Sequence, residues 1–85
     1  MKVLIPSALR SYTEAAHAEA DGGTLAAVLA DLDRLYPGIR FRMIDEQNRI
    51  RPHIRFFING TQARDLAQEL RSTDELVIVQ ALSGG

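Results

Sequence analysis

One amphipathic helix at Thr24–Tyr36 limits the folds open to this chain. Its apolar residues recur at helical spacing and form a single stripe, which consists of Leu25, Val28, Leu29, Leu32 and Leu35. Thr24 is suited to cap the start, and Pro37-Gly38 is typical of a helix end. Asp31 and Asp33 lie off the stripe, so we expect them to be solvated. A single stripe needs an opposing apolar layer, which the rest of the chain must supply.

That layer is predicted to be a β-sheet. Apolar alternation or an apolar run predicts strands at Lys2–Pro6, at His53–Asn59 and from Glu75 through Val79, with a weaker one at Ala16–Ala20. Asn59-Gly60 is a strong signal for a type I′ hairpin turn, so residues 61–64 should pair back briefly.

The remaining segments are predicted to connect these elements. We expect residues 8–13 to form a loop, residues 21–23 a turn and residues 65–70 a single helical turn. Residues 39–52 mix apolar residues with arginines around a polar turn at residues 45–48. This segment is predicted to be an irregular excursion with a short strand on either side of the turn.

The order of elements predicts an α+β fold. Strand, strand, one long helix, strand, short strand and final strand fit a mixed sheet of four to five strands with the helix across one face. The first and last strands are apolar enough to be central, and their pairing should be parallel. This arrangement is the β-grasp, or ubiquitin-like, roll. Residues 1–80 are predicted to form this domain, and residues 81–85 a flexible tail.

Composition excludes several classes of function. The 85 residues suffice for one domain, and their net charge of −1 provides no bulk attraction to nucleic acid or anionic membranes. No apolar stretch approaches a membrane span or a signal peptide, so the cytoplasm is the expected location. The absence of cysteine excludes disulfides and thiolate chemistry. His17 and His53 each lack a spaced partner, so neither is predicted to be catalytic.

The chain ends in Gly84-Gly85 directly after the last strand. Glycine lacks a Cβ atom and can follow a narrow path, so the terminal carboxylate becomes a chemical handle on a thin tether. Extended, residues 81–85 reach about 17 Å, enough to thread a buried active site. The alternative is a frayed end or a cloning remnant without function.

Several short motifs, in this order, resemble the MoaD/ThiS family of ubiquitin-like sulfur carriers. They are Val3-Leu4-Ile5 with Leu9-Arg10, Thr24-Leu25-Ala26-Ala27-Val28-Leu29, Phe57-Ile58-Asn59-Gly60, Asp74-Glu75-Leu76-Val77-Ile78-Val79 and Gly84-Gly85. The family includes the small subunit of molybdopterin synthase, the thiamine-thiazole sulfur carrier and a carrier used in cysteine synthesis. The thiamine carriers largely lack the 39–52 excursion, so the chain is more similar to the other two types.

The resemblance implies that the chain is a protein cosubstrate and not an enzyme. A ubiquitin-activating-like enzyme would use ATP to adenylate the Gly85 carboxylate, while the carrier itself would bind no cofactor. A sulfur donor, either a sulfurtransferase or a cysteine desulfurase, would then convert the adenylate to a thiocarboxylate. A downstream synthase would accept the tail and consume the sulfur. The residues expected to be recognised in the tail are Ala81, Leu82, Ser83 and Gly84.

A recognition face should accompany the tail. If one sheet face packs on the helix, the other should present Leu4, Phe57, Val77 and Val79 as a partner interface, unless the 39–52 excursion covers them. Charges also separate along the chain, with Glu14, Glu19, Asp21, Asp31 and Asp33 preceding Arg40, Arg42, Arg49, Arg51 and Arg55. Such groups are usually solvated faces, and the alternative is an acidic partner groove facing the arginines.

Three other functions remain open. The same diglycine, once activated, could be joined to lysines of target proteins. The chain could also be a structural binding module with a chance diglycine. Nucleic-acid binding has the least support, because the arginines lack an aromatic stacking platform and a positive net charge.

Overall fold

The computed structural model describes residues 1–81 and shows one mixed sheet with helices packed on one of its faces. The strands are β1 (Lys2–Leu4), β2 (His17–Glu19), β3 (Ile54–Ile58), β4 (Thr61–Ala63) and β5 (Glu75–Gln80), and the helices are α1 (Arg10–Thr13), α2 (Leu25–Leu35) and α3 (Ile39–Met43). No helix within residues 1–81 has the length and apolar character needed to cross a bilayer.

The sheet has the order β2-β1-β5-β3-β4. β1 and β5 pair in parallel, with Leu4 opposite Val77, and the other neighbouring strands are antiparallel. The first and last strands are therefore central, as predicted. Parallel pairing requires a long connection, and the one between β1 and β5 runs through residues 5–74 and includes α2. The β-grasp prediction is confirmed, with two short helices in addition to the long one.

The core lies between the sheet and α2. The inward residues of the strands are almost completely buried, and they meet the helix stripe; the main members are Val3, Ile5, Phe56, Leu76 and Ile78 from the sheet side and Leu25, Val28, Leu29 and Leu32 from the helix. The predicted packing of the helix stripe against a sheet is confirmed, and Ile58, the next inward residue of β3 after Phe56, is half-buried. Leu35 was predicted to extend the stripe and is 42% exposed, because it lies in the last turn, beyond the edge of the sheet core.

The start of α2 is capped both by Thr24 and by a segment distant in sequence. Thr24 Oγ1 accepts a hydrogen bond from the backbone N–H of Ala27 at 3.2 Å, which confirms the predicted cap. The N–H groups of Leu25 and Ala26 donate to the carbonyls of Gln68 and Leu66, both at 2.9 Å. Residues 65–70 form no helix and contain only a turn in which the Gln68 N–H donates to the Asp65 carbonyl at 3.0 Å, so the prediction of a helical turn there is wrong.

Two segments predicted to be irregular contain short helices. Residues 8–13 form a 3₁₀ turn (Ser7–Leu9) followed by α1, which ends where Glu14 adopts a left-handed φ of 54°. The excursion begins with α3, followed by a single antiparallel bridge between Ile44 and Ile50 around the predicted polar turn. Both helices are too short for apolar periodicity to identify them.

Asp31 and Asp33 were expected to be solvated, yet both are half-buried and accept structural hydrogen bonds. Asp31 accepts from the backbone N–H of Asp21 and from Arg34. Asp33 Oδ1 accepts from the N–H groups of Gly38 and Arg40, both at 3.1 Å, and so caps α3 from α2. The carboxylates therefore connect α2 to the chain before and after it.

Candidate functional site

The tail leaves the domain at the end of the central strand β5. The backbone N–H of Ala81 donates to the carbonyl of His53, the residue before β3, at 2.7 Å. Backbone pairing between these two segments therefore continues one residue beyond β5. Leu82, Ser83, Gly84 and Gly85 lie outside the described residues. The boundary at residues 80 and 81 and the roles of the tail residues therefore remain predictions.

The open face of the sheet carries the four apolar residues predicted to form an interface. The register aligns Leu4 with Val77 and Val77 with Phe57, so the three side chains form a row across β1, β5 and β3. Val79 follows on β5, opposite Arg55. The three residues of the row are half-buried and Val79 is 39% exposed. This set is called the apolar row below.

The excursion contributes to the helix side of the sheet. Ile39, Met43 and Ile44 are completely buried in the core, and Ile50 packs against it. These apolar residues therefore pack in the same layer as α2. The alternative in which residues 39–52 fold over the apolar row finds no support in this packing.

A groove lies beside the tail exit on the helix side of the sheet. It is lined by Ala8, Leu9, Phe41, Arg42, Arg51, His53 and Gln80. Arg51 contacts Phe41 in the wall of this groove: its guanidinium lies 4.6 Å from the centre of the Phe41 ring, and Nε donates to the Phe41 carbonyl at 2.7 Å. The cation–π contact and the hydrogen bond hold the charge in place.

The arginines were evident in the sequence, but their location next to Gln80 was not predicted. Phe41 and Gln80 are far apart in sequence, and their proximity depends on α3, which periodicity did not predict. Ile39 and Met43 have the spacing of one helix face, but a single pair of apolar residues in a five-residue helix is too short a pattern to predict it. With α3 recognised, Arg40 and Arg42 would have been assigned to helix surfaces at the sheet's end.

The opposite end of β5 carries acidic groups. The amino group of Met1 donates to Asp21 at 2.8 Å and lies 3.5 Å from Glu19. The hydrogen bond to Asp21 is the main cause that raises the pKa of this amino group above its ordinary value. The carboxylates at this end of β5 therefore lie beside the Met1 amino group, and the arginines lie at the other end.

Comparisons with known proteins agree with this geometry. The sequence model of the ThiS family matches residues 3–85, which is nearly the whole chain. The sulfur carrier protein CysO of Mycobacterium tuberculosis H37Rv is 33% identical over 89 residues, covering 98% of this chain and 96% of the relative.

Solved structures resemble the fold closely. A chain in the crystal structure of the Amycolatopsis orientalis BexX/CysO complex superposes with a TM-score of 0.91 at 30% identity, covering 99% of this chain and 98% of that one. The solution structure of small archaeal modifier protein 1 from Methanosarcina acetivorans has a TM-score of 0.82 at 27% identity, with 99% and 94% covered. A β-grasp roll is therefore common to these proteins and to this chain.

Proposed function

Because the chain belongs to the ThiS family, we propose that it is a sulfur carrier whose Gly85 carboxylate is converted to a thiocarboxylate. The observation that carries this function is a match to the family that extends through Gly85, together with 33% identity to a protein named as a sulfur carrier. The resemblance to the MoaD/ThiS family noted in the sequence is thereby confirmed.

Activation of the carboxylate requires a leaving group. The Gly85 carboxylate attacks the α-phosphate of ATP in an adenylating enzyme, which yields the acyl adenylate and pyrophosphate. Hydrosulfide then attacks the acyl carbon, the bond to the AMP oxygen breaks, and the thiocarboxylate and AMP are formed. In a cell, a sulfurtransferase or cysteine desulfurase would deliver the sulfur, and an acceptor synthase would consume it. The carrier acts as cosubstrate in these steps.

The apolar row supports docking to such enzymes. The open face carries Leu4, Phe57, Val77 and Val79. Val79 lies one residue before Gln80, the last residue of β5. A partially exposed apolar cluster of this kind suits a protein interface. We assign the row to contact with the activating enzyme. The complex named BexX/CysO supports the wider expectation that a carrier of this fold binds a partner protein.

Mass spectrometry of the intact protein tests the function. The chain is incubated with an adenylating enzyme of its own organism, ATP and sulfide, and the expected product has one carboxylate oxygen replaced by sulfur. Deletion of Gly85 or the change Gly85→Ala should prevent loading, while far-UV circular dichroism remains unchanged. Gly23→Ala is the matched control, because an added Cβ there meets no described atom within 4 Å. Normal loading of the Gly85 variants would refute the proposal.

A second candidate is protein modification through the same terminus. The likeness to a structure named as a small archaeal modifier protein, at 27% identity, favours it. In this case the activated Gly85 carbonyl is attacked by a lysine amine, and an isopeptide bond replaces the bond to AMP. Covalent adducts of the chain on cellular proteins would support this candidate, whereas a sulfur-containing small molecule would support the carrier.

A further inference from the structure

Three arginines surround the point where the tail leaves the sheet. Arg42 and Arg51 line the groove that Gln80 also lines, on the helix side. Arg55 lies opposite Val79 in the register of β3 and β5, and its side chain belongs to the open face. The tail therefore emerges between cationic groups on both faces of the sheet. These residues are called the exit arginines below.

The exit arginines are not neutralised by the described part of the chain. Among residues 1–81, the ion pairs join Met1 to Glu19 and Asp21 and join Arg34 to Asp31, so no carboxylate there lies within 4.0 Å of an exit guanidinium. Backbone hydrogen bonds from Arg49 and Gln47 to Asp45 Oδ1 lower the pKa of the Asp45 carboxyl, and the positive charge of Arg51 contributes after them, but Asp45 forms no ion pair with an exit guanidinium in this part of the chain. The cationic surface is thus available to an anionic partner.

Two of the exit arginines are also held in position. Arg51 is bonded to the Phe41 carbonyl and lies over the Phe41 ring. Arg55 donates to the carbonyls of Pro52 and Ile54. Holding a guanidinium in advance lowers the side-chain entropy lost on binding.

Carboxylates gather at the other end of the same strand. Glu75 begins β5, Asp74 precedes it, and Lys2 pairs in register with both Glu75 and Glu19. β5 has six residues, so the two charge clusters lie about 20 Å apart. The net charge of −1 therefore conceals an uneven distribution of charge along β5, although Lys2 and Arg71 offset part of the acidic cluster. Such a field orients an approaching partner.

We propose that the exit arginines bind an acidic rim around the tail entrance of the activating enzyme, so that the carrier approaches tail first. The inference rests on the proposed function and adds to it the chemistry of the partner surface. Any protein that admits residues 82–85 must bring its surface against the residues around Gln80. Complementary charge at this contact accelerates association and fixes the orientation.

A peptide titration tests the surface without any enzyme. Hexaglutamate is added to the ¹⁵N-labelled protein at low ionic strength, and amide shifts are followed by NMR. We expect shifts to concentrate at residues 41–55 and near Gln80, to vanish with added salt and to weaken several-fold in Arg42→Gln. Arg71→Gln is the matched control, since Arg71 is exposed near the start of β5. Evenly spread shifts, or equal weakening in both variants, would overturn the proposal.

Activation kinetics then test the role in the complex. In Arg42→Glu, kcat/KM for adenylation should fall about tenfold at low salt with kcat unchanged, and the deficit should shrink as salt rises. Arg71→Glu should behave like the parent. Equal kinetics of the two variants would overturn the proposal even when the parent is activated normally. A parent that is never activated contradicts the sulfur-carrier function alone, because the peptide titration tests anion binding by the exit arginines independently of activation.

Discussion

Asn59 and Asp74 connect the β3–β4 hairpin to the loop before β5. The Asn59 side-chain amide donates to Asp74 Oδ1 at 2.8 Å, and Asn59 Oδ1 accepts from the backbone N–H of Glu75 at 3.0 Å. Asn59 occupies the left-handed region with a φ of 49°, as the predicted hairpin turn requires, and Gly60 follows with a φ of 86°. The turn residue thus also fixes where the central strand begins.

Loss of Asp74 should destabilise the domain in a pH-dependent way. Hydrogen bonds from the Arg71 backbone N–H and then from Asn59 lower the pKa of Asp74. Its contribution is complete above the unfolded-state pKa of about 3.9 and disappears as pH falls through the lower folded-state pKa. Asp74→Ala should reduce the urea midpoint at neutral pH and flatten its acid dependence. Glu46→Ala, in an exposed turn, is the control and should leave both unchanged.

Gly22 should not tolerate a side chain. A Cβ there would lie 2.6 Å from the Val28 nitrogen and 2.8 Å from the Ala27 Cβ, so the chain must move away from α2. Gly22→Ala should lower the free energy of unfolding by about 1–3 kcal/mol, the usual effect of overpacking. Gly23→Ala, in the open neighbouring position, should retain the parent's stability in the same denaturation experiment. Equal stability of the two variants would contradict the close approach.

The apolar row should matter for activation and not for folding. Val79 is 39% exposed and lies on the open face, and Leu35 is 42% exposed and lies on the helix side. Val79→Gln should reduce kcat/KM for adenylation by about fivefold or more, as truncation of an interface residue does. Leu35→Gln provides the matched control and should activate normally. If both variants lose activity together, or neither does, the open face is not the docking surface.

Asp33 should be required for the order of α3. Its carboxylate accepts from the N–H groups of Gly38 and Arg40, which begin that helix. Asp33→Ala should cost about 1 kcal/mol, similar to the loss of a helix cap. Asp33→Asn keeps an acceptor oxygen and should retain most of the stability. Faster amide exchange at residues 38–42 in the alanine variant alone would identify the affected segment.

The strands and α2 could be predicted from sequence because their signals are local. Val28 and Leu29 reveal their helix by spacing, and Phe56 and Phe57 reveal opposite strand faces by alternation. Segment 65–70 could not be predicted, because its carbonyls bond to the start of α2, a partner remote in sequence. Asp33 was assigned to solvent for the same reason, since its partners belong to the next helix.

Part of the candidate site could be predicted from the sequence, and part could not. The apolar row followed from alternation, and the register then placed Leu4, Val77 and Phe57 side by side. The groove beside Gln80 was missed, because Phe41 reaches it only through the packing of Ile39 and Met43 into the core. Local pattern thus predicted which residues face outward, and tertiary packing determined which of them meet.

The two edge strands, β2 and β4, have three residues each. A short edge offers few unpaired backbone groups, so a second sheet finds little to extend. The sheet keeps an apolar face uncovered, but its short edge strands protect the protein against fibril growth by strand addition. Concentrated solutions of the domain should therefore resist polymerisation even though that face remains open.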